Sequence, residues 1–256
     1  MNSSTAVRAT ARLSGFLFRN AFPVYVALYD RYKRAADRGE IALIRRLVHP
    51  GDDVVDVGAN IGFYTQVLAQ CVGPNGHVYA FEPDTLNFRR LCVRTASLPQ
   101  VEAVRAAVTE RSGAIDLHVS RDLSVDHRIY ATDETRRTVV VDAVALDDFF
   151  REGRQPIQFI KMDIQGAEHA ALRGMRGVIE RSPSLRILME MWPTVLDRFG
   201  AGTDALLELV DSYDLEARLV GGDGSVGEAL KSGTPLPDER QTGPYFTVLC
   251  ARRECM

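Results

Sequence analysis

Charged side chains at the ends of buried strands are expensive unless they are paired or used, and this chain carries several. The run Asp56-Val57-Gly58-Ala59-Asn60-Ile61-Gly62 sits between a short apolar strand and an amphipathic helix. Glycines there let a backbone approach a ligand closely, because no Cβ obstructs it. The spacing is not G-x-G-x-x-G: Asn60 stands where the second glycine would be, and Phe63 where the third would be. No Gly-Lys-Ser/Thr follows either, so the loop is poorly suited to a pyrophosphate or a nucleotide triphosphate. Phe81-Glu82-Pro83-Asp84 ends the next strand. A carboxylate at that place can accept both hydroxyls of a ribose, as the acidic residue of dinucleotide folds does. Asp84 suits the cap of the following helix. Ala106-Ala107-Val108 ends a third strand with small residues that can pack on a purine. Asp163 follows the strand around Lys161, and Glu190 ends the strand after that.

A phosphate-free ligand with a ribose, an adenine, an amino-acid end and a reactive sulfonium fits this set: S-adenosylmethionine. Asp56 would face the amino-acid end, Gly58 and Gly62 would give it room, and Glu82 would take the ribose. Asp163 and Glu190, on adjacent strand ends, would then lie beside the methyl group. Methyl transfer to a hydroxyl needs positioning of the acceptor and a base for its proton. The candidate bases are Asp163, Glu190 and His127, the last in a polar loop as Asp126-His127-Arg128. Two neighbouring carboxylates could also hold Mg²⁺, although nothing in the spacing demands a metal. A plainer account of Asp163 is a buried ion pair with Lys161, and Glu168 could be a helix-start charge or a second partner for that lysine.

The elements that must position these groups alternate. Residues 1–50 read as helical, with Ile41, Ile44 and Val48 on one face, and Pro50-Gly51-Asp52-Asp53 ends that pattern. Strands are expected at 54–58, 77–81 and 101–108, with helices between them. Strand-helix-strand repetition implies right-handed βαβ units and a parallel sheet. The rhythm changes after residue 112: strands at 114–119 and 138–144 flank a polar stretch, 120–137, read as an inserted hairpin or loop near the active site. Order resumes with a strand at 157–162, a helix at 167–179, a strand at 185–190, a helix around Leu206–Tyr213 and strands at 215–220 and 245–251. Residues 221–244 read as a long loop.

The runs DVGANIGFYT (which adds Ala59, Tyr64 and Thr65 to the candidate cofactor contacts), AFEPD (with Pro83) and FIKMDIQGAE, followed by a strand ending in Glu190, occur in order over about residues 38–192. Taken together they resemble the FkbM-type methyltransferases. The resemblance implies a Rossmann-like class I methyltransferase fold: α/β, a mostly parallel seven-stranded sheet with helices on both faces, here with an N-terminal helical extension over 1–50 and the catalytic domain over 51–256. It also implies S-adenosylmethionine as donor and a hydroxyl of a sugar, glycolipid or secondary metabolite as acceptor. Gln165 stands where that family has a glutamate, so no essential role is assigned to it. The rivals are a Rossmann-like binding protein that has lost catalysis and an NAD-dependent oxidoreductase; the missing glycines count against the latter.

Composition sets the outer limits. The chain has 256 residues, 46% hydrophobic and 25% charged, long enough for a core without disulfides or structural metal. A net charge of -3 offers no basic footprint for nucleic acid. The four cysteines, Cys71, Cys92, Cys250 and Cys255, form no C-x-x-C pair, which fits a reduced, cytoplasmic setting. No apolar run reaches the roughly 18 to 20 residues of a membrane span. The N-terminal segment, with Phe16, Phe18 and Phe22, could serve as a lid, a homodimer contact or a membrane-surface helix.

Overall fold

A computed structural model describes residues 14–119, 137–151, 155–198, 202–236 and 245–256. His127 and the inserted stretch 120–136 lie outside the described residues.

Residues 14–20 form helix α1, followed by α2 (Phe22–Ala36) and α3 (Arg38–Leu47). The α/β core then runs β1 (Asp53–Val57), α4 (Phe63–Val72), β2 (His77–Phe81), α5 (Thr85–Thr95) and β3 (Val101–Val104). A second sheet is built from β4 (Ala107–Val108), β5 (Gly113–Val119) and β6 (Arg137–Val144), with the short helix α6 (Leu146–Phe149) after it. The core resumes with β7 (Phe159–Met162), α7 (Glu168–Arg173), α8 (Arg176–Arg181), β8 (Arg186–Met191), α9 (Pro193–Arg198), α10 (Gly202–Ser212), β9 (Glu216–Val220), β10 (Val226–Leu230) and β11 (Phe246–Ala251).

The main sheet has the order β10-β9-β11-β8-β7-β1-β2-β3. From β3 to β8 all neighbours are parallel, and the central strands β1, β2 and β7 are mostly apolar and buried, with Val54, Val55 and Val57 in β1. β11 runs antiparallel between β8 and β9. Strand order reverses between β2 and β7 on the two sides of β1. Such a switch point leaves a crevice outside the carboxyl ends of β1 and β7.

Four local expectations change. The sheet has eight strands rather than seven, because β10 pairs with β9 inside the stretch read as a long loop. The strand expected over 101–108 splits: β3 stays in the main sheet, whereas Ala107 and Val108 leave it to pair with β6. The helix expected over 167–179 breaks at Gly174, where a Cβ would lie 2.1 Å from the Thr109 carbonyl oxygen, so strand and helix backbones touch there. Of the aromatic residues offered for a membrane surface, Phe18 and Phe22 are buried with Tyr25 and Ile61, and only Phe16 is exposed. No described helix is long and apolar enough to cross a membrane.

Candidate active site

The loop after β1 is tied to its neighbours through the main chain. Gly58 N and Ala59 N donate to the Phe81 carbonyl at 3.0 and 2.9 Å. Gly58 has φ +83°, and a Cβ on it would sit 2.1 Å from the Asp163 carbonyl oxygen. The close approach that requires glycine is therefore made by the loop after β7. Gly62 begins α4 and faces Leu91 rather than open space.

Glu82 joins the first two loops. Its Oε2 accepts from Asn60 N at 2.8 Å and its Oε1 from Asp84 N at 2.9 Å. Asp84 in turn caps α5 by accepting from Leu86 N and Asn87 N. Burial pushes the Glu82 carboxyl up to about 8, against the lowering effect of those main-chain donors. Asp56, 2% exposed, accepts from the Thr65 hydroxyl at 2.5 Å. Burial pushes it up to about 6, and the Thr65 bond resists that rise.

At the carboxyl ends of β1 and β7 lies a cleft in two lobes, and Gly58, Asn60, Asp163 and Gln165 line both. The small lobe, about 60 Å³, is walled by Glu82, Pro83, Asn87, Ala106, Ala107 and Val108. The large lobe, about 470 Å³, brings together Asp56, Ala59, Tyr64, Asp163 and Glu190. Of the residues expected at the site and described, all line one lobe or the other except Gly62 and Thr65, which support the wall from behind.

Several lining residues were not foreseen. Lys161, 1% exposed, pairs neither with Asp163 nor with Glu168; its partner is Glu40 of α3, with Nζ 3.2 Å from Oε1. Glu168 instead accepts from Gly166 N at 3.1 Å. Burial acts to lower the Lys161 ammonium, but the Glu40, Asp163 and Glu190 carboxylates outweigh it and hold it above the ordinary lysine value. Lys161 also lies 5.0 Å from the Tyr64 ring centre, within cation–π range, and the Tyr64 hydroxyl donates to Asp37 at 2.7 Å. Lys33 pairs with Asp37. Together with Tyr29 and Tyr32, these groups make the N-terminal helices one wall of the large lobe. Helical periodicity marks which face of α2 and α3 is apolar but not what that face meets, so sequence alone carries no signal for the wall. Gln165, given no essential role from sequence, lines both lobes, adopts φ +55° and donates to Asp163 Oδ1 at 3.2 Å. A non-glycine residue held in that region is a strained placement of the kind found at functional sites. Trp192 and Tyr245, with ring centres 6.0 Å apart, also line the large lobe.

The chemistry of this donor set fits S-adenosylmethionine. The carboxylates outnumber the cations in the wall of the large lobe, which suits a ligand carrying a sulfonium and an ammonium. The small lobe offers a carboxylate beside the apolar side chains of Pro83, Ala106, Ala107 and Val108. Nothing in the loop after β1 is arranged for phosphate. Among the described residues no group of three or more His, Cys, Asp or Glu side chains could hold a metal ion.

Comparison with known proteins agrees with the architecture. The methyltransferase FkbM domain matches residues 56–214. The 2-O-methyltransferase NoeI of Sinorhizobium fredii (strain NBRC 101917 / NGR234) is 26% identical over 210 residues, covering 76% of this chain and 84% of that protein. Among solved structures, an rRNA methylase from Streptococcus thermophilus aligns with a TM-score of 0.50 at 17% identity, over 83% of this chain and 93% of that one. A putative rRNA methylase from Clostridium thermocellum aligns with a TM-score of 0.52 at 12% identity, over 84% and 94%. At such identities the structural likeness speaks for the class I methyltransferase fold alone. The family match covers both strand-end loops and the Asp163–Glu190 pair, and by it this chain belongs to the FkbM family of S-adenosylmethionine-dependent methyltransferases.

Proposed function

We propose that the protein moves the methyl group of S-adenosylmethionine to a hydroxyl oxygen of a sugar or of a sugar-bearing acceptor. The observation that carries this reading is the large lobe itself. Asp163 and Glu190 stand at neighbouring strand ends in a cavity that Tyr32, Trp192 and Tyr245 also line. Aromatic faces take the C–H surface of a sugar ring, and carboxylates accept its hydroxyls in charge-assisted bonds. The printed name of NoeI, a 2-O-methyltransferase, supports the same chemistry.

Bound S-adenosylmethionine supplies an activated methyl on a sulfonium. The chain's residues do the rest. Glu82 accepts the ribose hydroxyls on the lone pairs that its main-chain donors leave free, and Pro83 and Ala107 pack on the adenine. Asp56 and the 58–60 loop hold the amino-acid end. Asp163 and Glu190 orient the acceptor hydroxyl and take its proton; His127 is the third candidate base. Residues 1–50 act as an extension that completes the acceptor wall. The test is incubation with methyl-tritiated S-adenosylmethionine and a panel of oligosaccharides, glycolipids and hydroxylated metabolites. A base-stable methyl ether on a sugar hydroxyl is expected. Label found only on amines, or only as base-labile esters, would refute the assignment.

A further inference from the structure

The large lobe is over-supplied with negative charge. Asp56 enters it from β1, Asp163 from the end of β7 and Glu190 from β8. Lys161 is the cation buried in that wall, and it is already paired with Glu40 at 3.2 Å. Lys33, nearer the mouth, is paired with Asp37. The phenols of Tyr29, Tyr64 and Tyr245, all pushed up by burial, also line it and add no charge at neutral pH. Glu190 thus shares a cavity with Asp163, and the two lysines that favour its charged form, Lys161 and Lys33, are each ion-paired with another carboxylate. A carboxyl half out of water beside a like charge keeps its proton until a cation arrives. Burial first, and then the Asp163 charge, raise Glu190 well above the usual carboxylate range. The two ligands this site must exchange differ in that respect: S-adenosylmethionine is a cation at sulfur, and the product S-adenosylhomocysteine is a neutral thioether.

We propose that Glu190 determines which of these two ligands the site prefers, by holding a proton in the cofactor-free protein and releasing it when the sulfonium, but not the thioether, enters the cavity. This inference rests on the methyltransferase reading and adds to it a proton-linked selection of substrate over product. It also closes the proton balance of the reaction. As the methyl carbon leaves sulfur, the C–S electron pair stays on sulfur and an O–CH3 bond forms. The hydroxyl proton then passes to the Glu190 carboxylate. The site starts with one sulfonium and one carboxylate and ends with a thioether and a carboxylic acid, neutral in both states. No further reactant is needed.

The test is calorimetric titration at pH 7 in phosphate and in Tris, buffers whose ionisation enthalpies differ, so that the heats report protons released. S-adenosylmethionine should release up to one proton more than S-adenosylhomocysteine, whose nucleoside and amino-acid ends are the same. In Glu190→Gln that difference should vanish. The preference for the sulfonium ligand should fall about tenfold or more, with S-adenosylhomocysteine still bound, which also shows that the variant site is folded. Equal proton release by both ligands in the wild type would overturn the proposal. So would a difference that survives in Glu190→Gln and disappears in Asp163→Asn, because the proton would then belong to Asp163. A protein that bound neither ligand would overturn the methyltransferase reading as well, so the two failures are distinguishable.

Discussion

Replacing Glu82 by glutamine separates two jobs that the carboxylate performs at once. Both of its oxygens accept main-chain N–H groups, from Asn60 at 2.8 Å and Asp84 at 2.9 Å. A glutamine of the same shape has one acceptor oxygen and an NH2 that cannot accept. One of the two buried N–H groups is then left unsatisfied, which destabilises the fold by about 1–3 kcal/mol. The ribose contact is lost in its charge-assisted form, worth about 1.5–3 kcal/mol, or a roughly 10- to 150-fold weaker affinity for S-adenosylmethionine. The pH dependence distinguishes the two effects. Burial raises Glu82 from the unfolded value of 4.5 to about 8 in the folded protein. Between those values the folded chain binds more protons than the unfolded one, so this residue's contribution to stability falls as pH rises through that window. Cofactor hydroxyls donate to the ionised form, so wild-type affinity should rise from pH 6 to 8 and level off above. Calorimetric titration at pH 6, 7, 8 and 9, with denaturant unfolding in parallel, reads both. A glutamine variant with wild-type affinity and wild-type pH dependence would reduce Glu82 to a strap between two loops and refute its ribose role.

Two further perturbations test the framework around the cleft. Glu40→Ala leaves Lys161 charged, buried and unpaired, and should destabilise the protein by about 3–5 kcal/mol in denaturant unfolding; a variant within 1 kcal/mol of wild type would mean that Glu40 is not what holds the lysine. Gly58→Ala and Gly174→Ala each thrust a Cβ to 2.1 Å from a carbonyl oxygen, that of Asp163 and of Thr109 respectively. Both should lower the melting temperature, the first by more because its left-handed backbone adds about 1–2 kcal/mol of strain. Only Gly58→Ala should lose the cofactor, and a cofactor-binding defect in folded Gly174→Ala would contradict this division.

The parts of the fold legible in the sequence are those where one residue type answers one physical demand. Val54-Val55-Asp56-Val57, short, β-branched and bounded by turn residues, reads as a buried strand, and Asp84 is placed to accept from the first N–H groups of the helix that follows it. The parts that were not legible depend on contacts between segments distant in sequence. Nothing within residues 101–108 says that Ala107 and Val108 will leave the sheet for β6. Nothing near Gly174 announces the Thr109 carbonyl that packs against it where the helix breaks. β10 is a short edge strand with Gly227 inside it, and it is held in place partly by its neighbourhood: Gly39 and Gly224 meet backbone to backbone, and Arg46 donates to the Gly224 carbonyl. An edge strand with one wet face has no apolar run to declare it.

The same distinction separates the two halves of the active site. The cofactor half is read from loops that follow directly on β1, β2 and β7, because a doubly wound sheet delivers consecutive strand ends to one crevice. The half proposed to take the acceptor draws Tyr29, Tyr32, Lys33 and Asp37 from α2 and its junction with α3, and Trp192 and Tyr245 from the ends of β8 and β11. Lys161 joins the halves. It sits on β7 in register with Asp56, yet its charge is met by Glu40, which lies before the region matched by the family domain. An ammonium 1% exposed is costly without an ion-pair partner, so α3 helps to stabilise a charge that belongs to the sheet. On the proposed reading, substitutions along the cavity-lining face of α2 should alter acceptor preference while the carboxylates at the strand ends stay where the sheet puts them.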